Sequence, residues 1–280
     1  MPIDKSAKKP LVSVIIPTYN RDWIVTESIE SVQAQDFSDY ELIVVDDGSD
    51  DRTPEILAAY EDRITVIRQA NRGVSAARNR GIAAAAGRLI AFLDSDDLWL
   101  PQKLTAQVNF FAQNPDAVIC QTEERWVRNG VRVNPKKRHL KFSGMIFERS
   151  LALCLVSPSA VMIKRKLLDA VGVFDEDLPA CEDYDLWLRI SCRYPVDLIK
   201  TPLTIKRGGH ADQLSRAPGL DQYRIRSLVT LLEGNMLTAP QKQAVIATLK
   251  EKCAVYAGGC RKRGREVEAK YYCQLADRFK

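Results

Sequence analysis

The stretch "RLIAFLDSDDLWLP" (Arg88–Pro101) joins a short apolar run to three carboxylates, Asp94, Asp96 and Asp97. An apolar run of this length, bounded by polar residues, is typical of a strand buried on both faces of a sheet. Three like charges within four residues repel one another. Their gathering indicates a bound cation, a helix start or a solvated turn.

Three similar apolar runs precede this stretch, and a helical pattern separates each run from the next. They are Leu11–Pro17, Glu41–Asp47 and Ile64–Gln69. Alternation of this kind predicts an α/β fold with a mostly parallel central sheet flanked by helices. Ligands of such sheets bind beyond the carboxyl ends of the strands. Polar residues follow all four runs: Thr18, Tyr19 and Asn20, then Asp46 and Asp47, then Asn71 and Arg72, and then Asp94, Asp96 and Asp97.

The turn after the first run, "PTYNRDW" (Pro17–Trp23), contains no glycine. Neither of the glycine-rich phosphate loops, GxGxxG and GxxxxGK[ST], is therefore present there. A phosphorylated ligand would instead be neutralised by a cation that the aspartates hold, and carboxylates suit Mg²⁺ or Mn²⁺. Asp94 and Asp96 are the predicted ligands, while Asp97 is predicted to start a helix.

The composition is that of a globular protein and does not indicate a membrane-spanning or a secreted one. The chain has 280 residues, of which 46% are hydrophobic and 28% are charged. We expect no transmembrane span and no secretory signal, which predicts a cytoplasmic protein, and we expect no nucleic-acid partner. Seven cysteines without a CxxC pair predict reduced thiols.

Positive charge is concentrated in two segments. Arg125–Lys141 holds seven basic residues and no acid, and His139 within it is predicted to be exposed. Arg261–Lys280 holds seven basic residues against three acids. Such runs are solvated faces, or else they contact an anionic substrate or an anionic membrane surface.

Five segments occur in an order and at spacings that resemble family 2 glycosyltransferases of the GT-A fold. They are "VSVIIPTYNR", "IVVDDGSDDRT", "NRGVSAARNRGI", "LIAFLDSDD" and "CEDYDLWLR". The resemblance implies a GT-A domain over residues 1–215 and a helical C-terminal extension over 216–280. Within that domain it implies a nucleotide-binding half over about 10–100 and an acceptor-binding half over 101–215.

The resemblance also implies an activity. The enzyme would be an inverting hexosyltransferase that moves a sugar from a nucleotide-sugar, with UDP favoured, to a hydroxyl of a glycan or lipid-linked saccharide. The sugar transfer would depend on Mn²⁺ or Mg²⁺. The enzyme would act in polysaccharide biosynthesis at the cell envelope and would make peripheral contact with an anionic membrane. The alternatives are a sugar-nucleotide pyrophosphorylase, which needs a glycine-rich loop after its first strand, and a non-catalytic nucleotide-sugar-binding module, which needs no base.

Site residues follow from the same resemblance. The nucleotide-sugar set is Pro17, Thr18, Tyr19, Asp46, Arg78, Asp94 and Ser95. The metal set is Asp96, Asp94 and His210, and the catalytic set is Asp183 as general base with Glu182 beside the acceptor. Each of these residues could also have a purely structural role. Tyr19 could be a surface aromatic, Arg78 a charge on a helix face, and Asp46 the cap of a turn. Glu182 and Asp183 could be favourable charges at the start of a helix, and His210 could be a surface loop residue.

Overall fold

A computed structural model of the protein describes residues 9–210, 213–214 and 217–279. Its strands are β1 Val12–Thr18, β2 Tyr40–Asp46, β3 Thr65–Arg68, β4 Leu89–Phe92, β5 Leu98–Trp99, β6 Ile119–Arg128, β7 Val131–Val133, β8 Val161–Lys164 and β9 Asp197–Gly208. Its helices are α1 Val25–Gln33, α2 Thr53–Ala58, α3 Val74–Ala84, α4 Lys103–Gln113, α5 Phe147–Ala152, α6 Arg165–Val171, α7 Glu182–Ser191, α8 Asp221–Glu233, α9 Ala239–Lys262 and α10 Glu266–Asp277.

One sheet contains these strands in the order β3-β2-β1-β4-β8-β6-β9-β5, and β7 pairs with β6. The first half, β3-β2-β1-β4, is parallel throughout. This is the half that the four apolar runs predict, and its β1 and β4 are buried along their whole length because helices cover both faces.

The second half of the sheet is mixed. Strand β8 is antiparallel to both β4 and β6, β6 is parallel to β9, and β5 is antiparallel to β9. Strand β5 has only two residues and forms because Leu98 pairs with Ile205. The predicted helix start at Asp97 is therefore wrong: a strand follows this residue, and the next helix begins at Lys103.

Helices α8–α10 pack on α5 and α7 through a hydrophobic cluster of their own. Leu231, Val245, Leu249 and Cys253 belong to this cluster, as their helical spacing predicts. All seven cysteines are free thiols. Among the described helices, none is long and apolar enough to cross a membrane.

Candidate active site

The carboxyl edge of the parallel half brings Thr18 and Asp46 side by side, because these residues are register partners at the ends of β1 and β2. Asp46 Oδ1 accepts a hydrogen bond of 2.9 Å from the Ser49 backbone N–H, the turn contact that its sequence context predicts. Asp46 Oδ2 and Thr18 Oγ1 are buried and have no hydrogen-bond partner among the described residues, although Arg68 Nε lies 3.4 Å from Asp46 Oδ2. Buried polar atoms in this state suit a ligand with its own donors and acceptors.

Tyr19 and Pro17 flank this pair. Pro17 is buried within β1, whereas Tyr19 is 42% exposed just beyond the strand end. An exposed ring beside buried, unsatisfied polar atoms is available to a planar ligand.

Arg78 is buried in α3 and links the acidic turn after β4 to the acidic first turn of α7. Its guanidinium donates to Asp94 Oδ1 at 2.7 Å and to Glu182 Oε1 at 2.6 Å. It also lies 5.1 Å from the ring centroid of Phe174. Burial alone would lower the pKa of Arg78, but the two carboxylates raise it above its usual value, so the group is a permanent cation.

Glu182 is buried, and its described ion pair is the one with Arg78. Burial raises the pKa of its carboxyl, and the guanidinium opposes that rise. A contact between Glu182 and an acceptor stays a prediction, since the structure places this carboxylate against Arg78.

Asp96 and His210 meet although 114 positions separate them in the sequence. The Asp96 Oδ2 atom lies 2.7 Å from His210 Nε2, and their side chains are 18% and 16% exposed. The pairing of β5 with β9 carries the two residues to the same corner. Trp23 packs edge-on against the imidazole, with 5.7 Å between ring centroids.

This pair fits the oxygen and nitrogen donors that a divalent cation takes. Asp94, the third predicted ligand, has Oδ1 bound to Arg78. No cluster of three or more candidate metal-binding side chains occurs within the described residues. Of the three predicted metal ligands, the structure therefore brings two candidate side chains, Asp96 and His210, into direct contact.

Ser95 and Asp97 complete the turn after β4. Ser28 Oγ contacts the carbonyl oxygens of both residues at 2.8 Å, and Ser95 is buried. Asp97 Oδ1 accepts a hydrogen bond of 2.8 Å from the Arg207 backbone N–H, and burial raises the pKa of this carboxyl well above its usual range. Asp97 thus fixes the turn to β9 instead of capping a helix.

Asp183 lies half-buried in the first turn of α7, with acids on both sides. Its Oδ1 accepts the Tyr184 backbone N–H at 2.7 Å, and its Oδ2 lies 3.5 Å from Cys154 Sγ. The helix begins directly after Cys181, whose φ of 62° turns the chain sharply. This placement leaves Asp183 as the partly exposed carboxylate of the cluster, while Glu182 and Asp185 are buried.

Lys206 is the site residue that the sequence did not reveal. It lies on β9, and its Nζ donates to Ser157 Oγ at 3.1 Å. Burial would lower its pKa, but neighbouring carboxylates raise it above its usual value, and they are Glu124, Asp97, Asp94 and Asp183. A lysine among "LTIKRGGH" has no local signal, because its partners come from distant segments.

Comparison with known proteins gives a family and a fold. The model of the family described as glycosyl transferase family 2 matches residues 13–172. An uncharacterized glycosyltransferase of Rickettsia typhi is 36% identical over 193 residues, which cover 66% of this chain and 61% of that protein. The chain spans 58% and 35% of the two relatives from Rickettsia prowazekii and Rickettsia felis.

An Escherichia coli relative, UDP-Glc:alpha-D-GlcNAc-diphosphoundecaprenol beta-1,3-glucosyltransferase WfgD, is 34% identical over 185 residues, covering 64% of this chain and 69% of its own. Two solved structures share the fold. S. aureus TarS 1-349 with UDP-GlcNAc has a TM-score of 0.76 at 21% identity, covering 95% of this chain and 81% of its own. The mannosyltransferase PcManGT from Pyrobaculum calidifontis, with GDP-Man and Mn²⁺, has a TM-score of 0.60 at 19% identity, covering 97% and 87%.

Proposed function

The chain belongs to glycosyl transferase family 2 and has the GT-A fold, and from that premise we propose that it is an inverting hexosyltransferase using a nucleotide-sugar donor. The observation that carries the proposal is the meeting of Asp96 with His210 at the edge that also holds Thr18, Asp46 and Asp94. In this proposal, Thr18 and Asp46 form a binding position for a nucleobase, and Asp96 and His210 form one for a diphosphate with its cation.

Thr18 and Asp46 bind the base in this proposal. The buried Thr18 Oγ1 and Asp46 Oδ2 atoms supply a hydroxyl and a carboxylate to a ring with both donors and acceptors, such as uracil. Tyr19 covers one face of that ring, and Pro17, the last β1 residue before Thr18, lies beside the base. We favour UDP, which is consistent with the UDP-GlcNAc bound by the structurally similar TarS.

Asp96 and His210 hold Mn²⁺ or Mg²⁺ in this proposal, and Asp94 and Ser95 border the ribose and the diphosphate. The Mn²⁺ in the structurally similar PcManGT supports the choice of metal. A bound cation would stabilise negative charge on a leaving diphosphate. Arg78 contributes by fixing Asp94, whose Oδ1 it holds at 2.7 Å.

Asp183 is the proposed general base. Its carboxylate accepts the proton of the acceptor hydroxyl as the hydroxyl oxygen bonds to the anomeric carbon. The bond from that carbon to the diphosphate oxygen breaks on the opposite face, so the configuration inverts. A positioned base contributes about 10²–10⁴-fold to such a rate.

The proposed acceptor is a saccharide hydroxyl, on a glycan or a lipid-linked saccharide, and the acceptor printed for the E. coli relative supports this class. We place the enzyme in the cytoplasm, at the membrane that carries such acceptors, in polysaccharide biosynthesis of the cell envelope. The C-terminal helices support peripheral contact: Val267 and Tyr271 are 88% and 57% exposed, near the basic run that starts at Arg261.

Substitution of the base tests the proposal. Asp183→Asn should lower transfer by at least about 10²-fold, because the amide cannot accept the proton, while leaving metal-dependent donor binding unchanged. Asp177→Asn is the matched control, since the Asp177 side chain is 84% exposed on the same approach to α7. Undiminished turnover in Asp183→Asn would refute the role of this residue.

A further inference from the structure

Lys206 brings a positive charge into the site that the proposed reaction leaves unused. It lies half-buried on β9, four residues before His210. Its Nζ donates to Ser157 Oγ at 3.1 Å, and Ser157 is buried. An ammonium has three donors, so two of them have no hydrogen-bond partner among the described residues. They are available to a ligand that enters the site.

Glu124 on β6 attracts Lys206 but is already paired. Burial would lower the pKa of Lys206, and Glu124 leads the carboxylates that raise it. Glu124 Oε1 lies 3.2 Å from Lys141 Nζ, and Glu124 Oε2 accepts the Trp126 indole N–H at 2.9 Å. His139 packs against that indole and is half-buried, so its predicted exposure is wrong. Glu124 thus has a cation of its own in Lys141.

The acids of the turn after β4 are engaged as well. Asp94 Oδ1 accepts a hydrogen bond of 2.7 Å from Arg78, and Asp97 Oδ1 accepts one of 2.8 Å from the Arg207 backbone N–H. Among the described residues, neither aspartate forms an ion pair with Lys206. The ammonium is therefore a cation in an acidic corner whose acids are held by other groups.

One segment, Cys154–Ser159, relates Lys206 to both acidic clusters. The Sγ atom of its first residue lies 3.5 Å from Asp183 Oδ2, and the Oγ atom of its last residue accepts the Asp94 backbone N–H at 3.1 Å. Ser157, which binds the Lys206 ammonium, lies between them in the chain. Because an extended chain spans at most about 3.6 Å per residue, the Cα atom of Ser157 is within about 11 Å of the first residue and about 7 Å of the last. Lys206 is therefore held near both the acidic turn and the proposed base.

The donor diphosphate is the anion that the proposed reaction brings to this position. Its cation is proposed to lie at Asp96 and His210, and the carbon that it leaves is proposed to face Asp183. In that reaction, the phosphate that carries the sugar lies between these residues. Arg207 follows Lys206 directly, and its Nε donates to the Asp96 backbone carbonyl, so β9 brings the lysine to the same place.

We propose that Lys206 is a further catalytic residue, whose ammonium donates to a non-bridging oxygen of the phosphate that carries the transferred sugar. The inference rests on the proposed glycosyl transfer and assigns a residue to its leaving group. When the bond from the anomeric carbon to the phosphate oxygen breaks, its electron pair stays on that oxygen, while the acceptor proton passes to Asp183. A fixed positive charge stabilises the phosphate as it gains this charge.

A phosphate suits the ammonium better than a sugar hydroxyl does. Hydrogen bonds between an ammonium and a phosphate are about twice as strong as neutral ones. The carboxylates of the acidic corner would repel a diphosphate, and a nearby cation offsets that repulsion.

Binding of UDP and UMP tests this contact without any sugar transfer. UDP ends in the phosphate that carries the sugar in the donor, whereas UMP lacks that phosphate. Titration calorimetry with Mn²⁺ at about 150 mM salt screens distant charges. Lys206→Met should bind UDP about tenfold or more weakly than wild type, because a charge-assisted hydrogen bond is lost. Its affinity for UMP should stay within about twofold of wild type, because only distant, screened charge is removed. GDP with GMP, or TDP with TMP, replaces this pair if wild type prefers that base.

Three variants control for charge, position and folding. Lys200→Met should bind UDP within about twofold of wild type, since Lys200 is an exposed lysine on the same strand. Lys206→Arg keeps the charge and should bind UDP more tightly than Lys206→Met. Ser157→Ala removes the hydroxyl that orients the Lys206 Nζ, so it should weaken UDP binding about threefold and leave UMP binding unchanged. This last variant tests the contact even if Lys206→Met folds poorly.

Three results would overturn the inference. One is equal affinity of Lys206→Met and wild type for UDP. Another is an equal loss of UDP and UMP binding in both Lys206→Met and Ser157→Ala, which would reveal general damage to the nucleotide site. The third is weaker binding of the UDP-sugar with unchanged binding of UDP, which would assign Lys206 to the sugar.

Failure of the proposed function has a different signature. Absence of Mn²⁺-dependent binding of UDP, GDP and TDP to wild type rejects the glycosyl transfer itself. Mn²⁺-dependent binding of one of them to wild type, with unchanged affinity in Lys206→Met, rejects the role of Lys206 alone.

Discussion

Replacement of Arg78 by methionine should destabilise the protein strongly. The guanidinium is buried and holds Asp94 Oδ1 at 2.7 Å and Glu182 Oε1 at 2.6 Å. The Glu182 side chain is 7% exposed, so Arg78→Met leaves a nearly buried carboxylate without its described counter-charge. Breaking a buried pair in this way costs about 3–5 kcal/mol of unfolding free energy.

The loss should grow with pH. Burial already raises the pKa of Glu182, and Arg78 opposes that rise. Without Arg78 the pKa rises further, so the folded carboxyl keeps a proton at a pH where the unfolded carboxyl is ionised. A carboxyl whose pKa is higher in the folded than in the unfolded protein costs no stability at low pH, where it is protonated in both states. The protein loses stability as the pH rises from the unfolded-state pKa to the folded-state pKa of that carboxyl. Arg78→Met should therefore be closer to wild type at pH 5 than at pH 8.

Urea unfolding at pH 5 and pH 8 measures both effects. Adding Glu182→Gln to Arg78→Met should recover at least half of the loss at pH 8, since it removes the unpaired charge. Arg72→Met is the control, because its pair with Glu176 is exposed and worth under about 1 kcal/mol. A loss in Arg78→Met no larger than in Arg72→Met, or a loss independent of pH, would refute the reasoning.

Two further changes probe the second half of the sheet and the helix packing. Burial would raise the pKa of Glu124, but two neighbouring lysines lower it to about 2, so its contribution to stability is present above pH 4.5 and is lost as the pH falls towards 2. In urea unfolding, the deficit of Glu124→Gln relative to wild type should therefore shrink by about 3 kcal/mol over that range, and a constant deficit would contradict the assignment. Gly87→Ala should lower stability by about 1–3 kcal/mol, because its Cβ would lie 2.6 Å from the Ser13 backbone nitrogen. The control is Gly258→Ala in α9, whose Cβ would have no contact within 4 Å among the described residues and should not destabilise the protein. Equal melting temperatures of the two alanine variants would contradict the close approach at Gly87.

The parallel half of the sheet and its polar edge follow from the sequence because their signals are local. Each apolar run predicts a strand to within one or two residues at most ends, as Glu41–Asp47 does for β2 at Tyr40–Asp46. Parallel strands with short connections place Thr18, Asp46 and Asp94 at one edge without any knowledge of distant contacts.

The second half of the sheet and the remaining site residues depend on contacts between residues that are distant in the sequence. Strand β5 has two residues and exists through its pairing with β9, so "DSDDLWLPQKL" carries no local sign that Asp97 precedes a strand. Lys206 becomes a site residue only when β9 joins β6. Arg78 has the sequence context of a helix-face charge, and only the packing of α3 against the start of α7 turns it into a buried bridge.

Donor binding tests the central claim most directly. The measurement is the unfolding free energy of the protein with Mn²⁺ and each of a set of UDP-, GDP- and TDP-sugars, in wild type and in Asp96→Asn. A donor at about 100 times its dissociation constant should stabilise wild type by about 2.7 kcal/mol, and the variant should lose the part of this gain that needs Mn²⁺. No stabilisation of wild type by any donor with metal, or an undiminished gain in Asp96→Asn, would contradict the account.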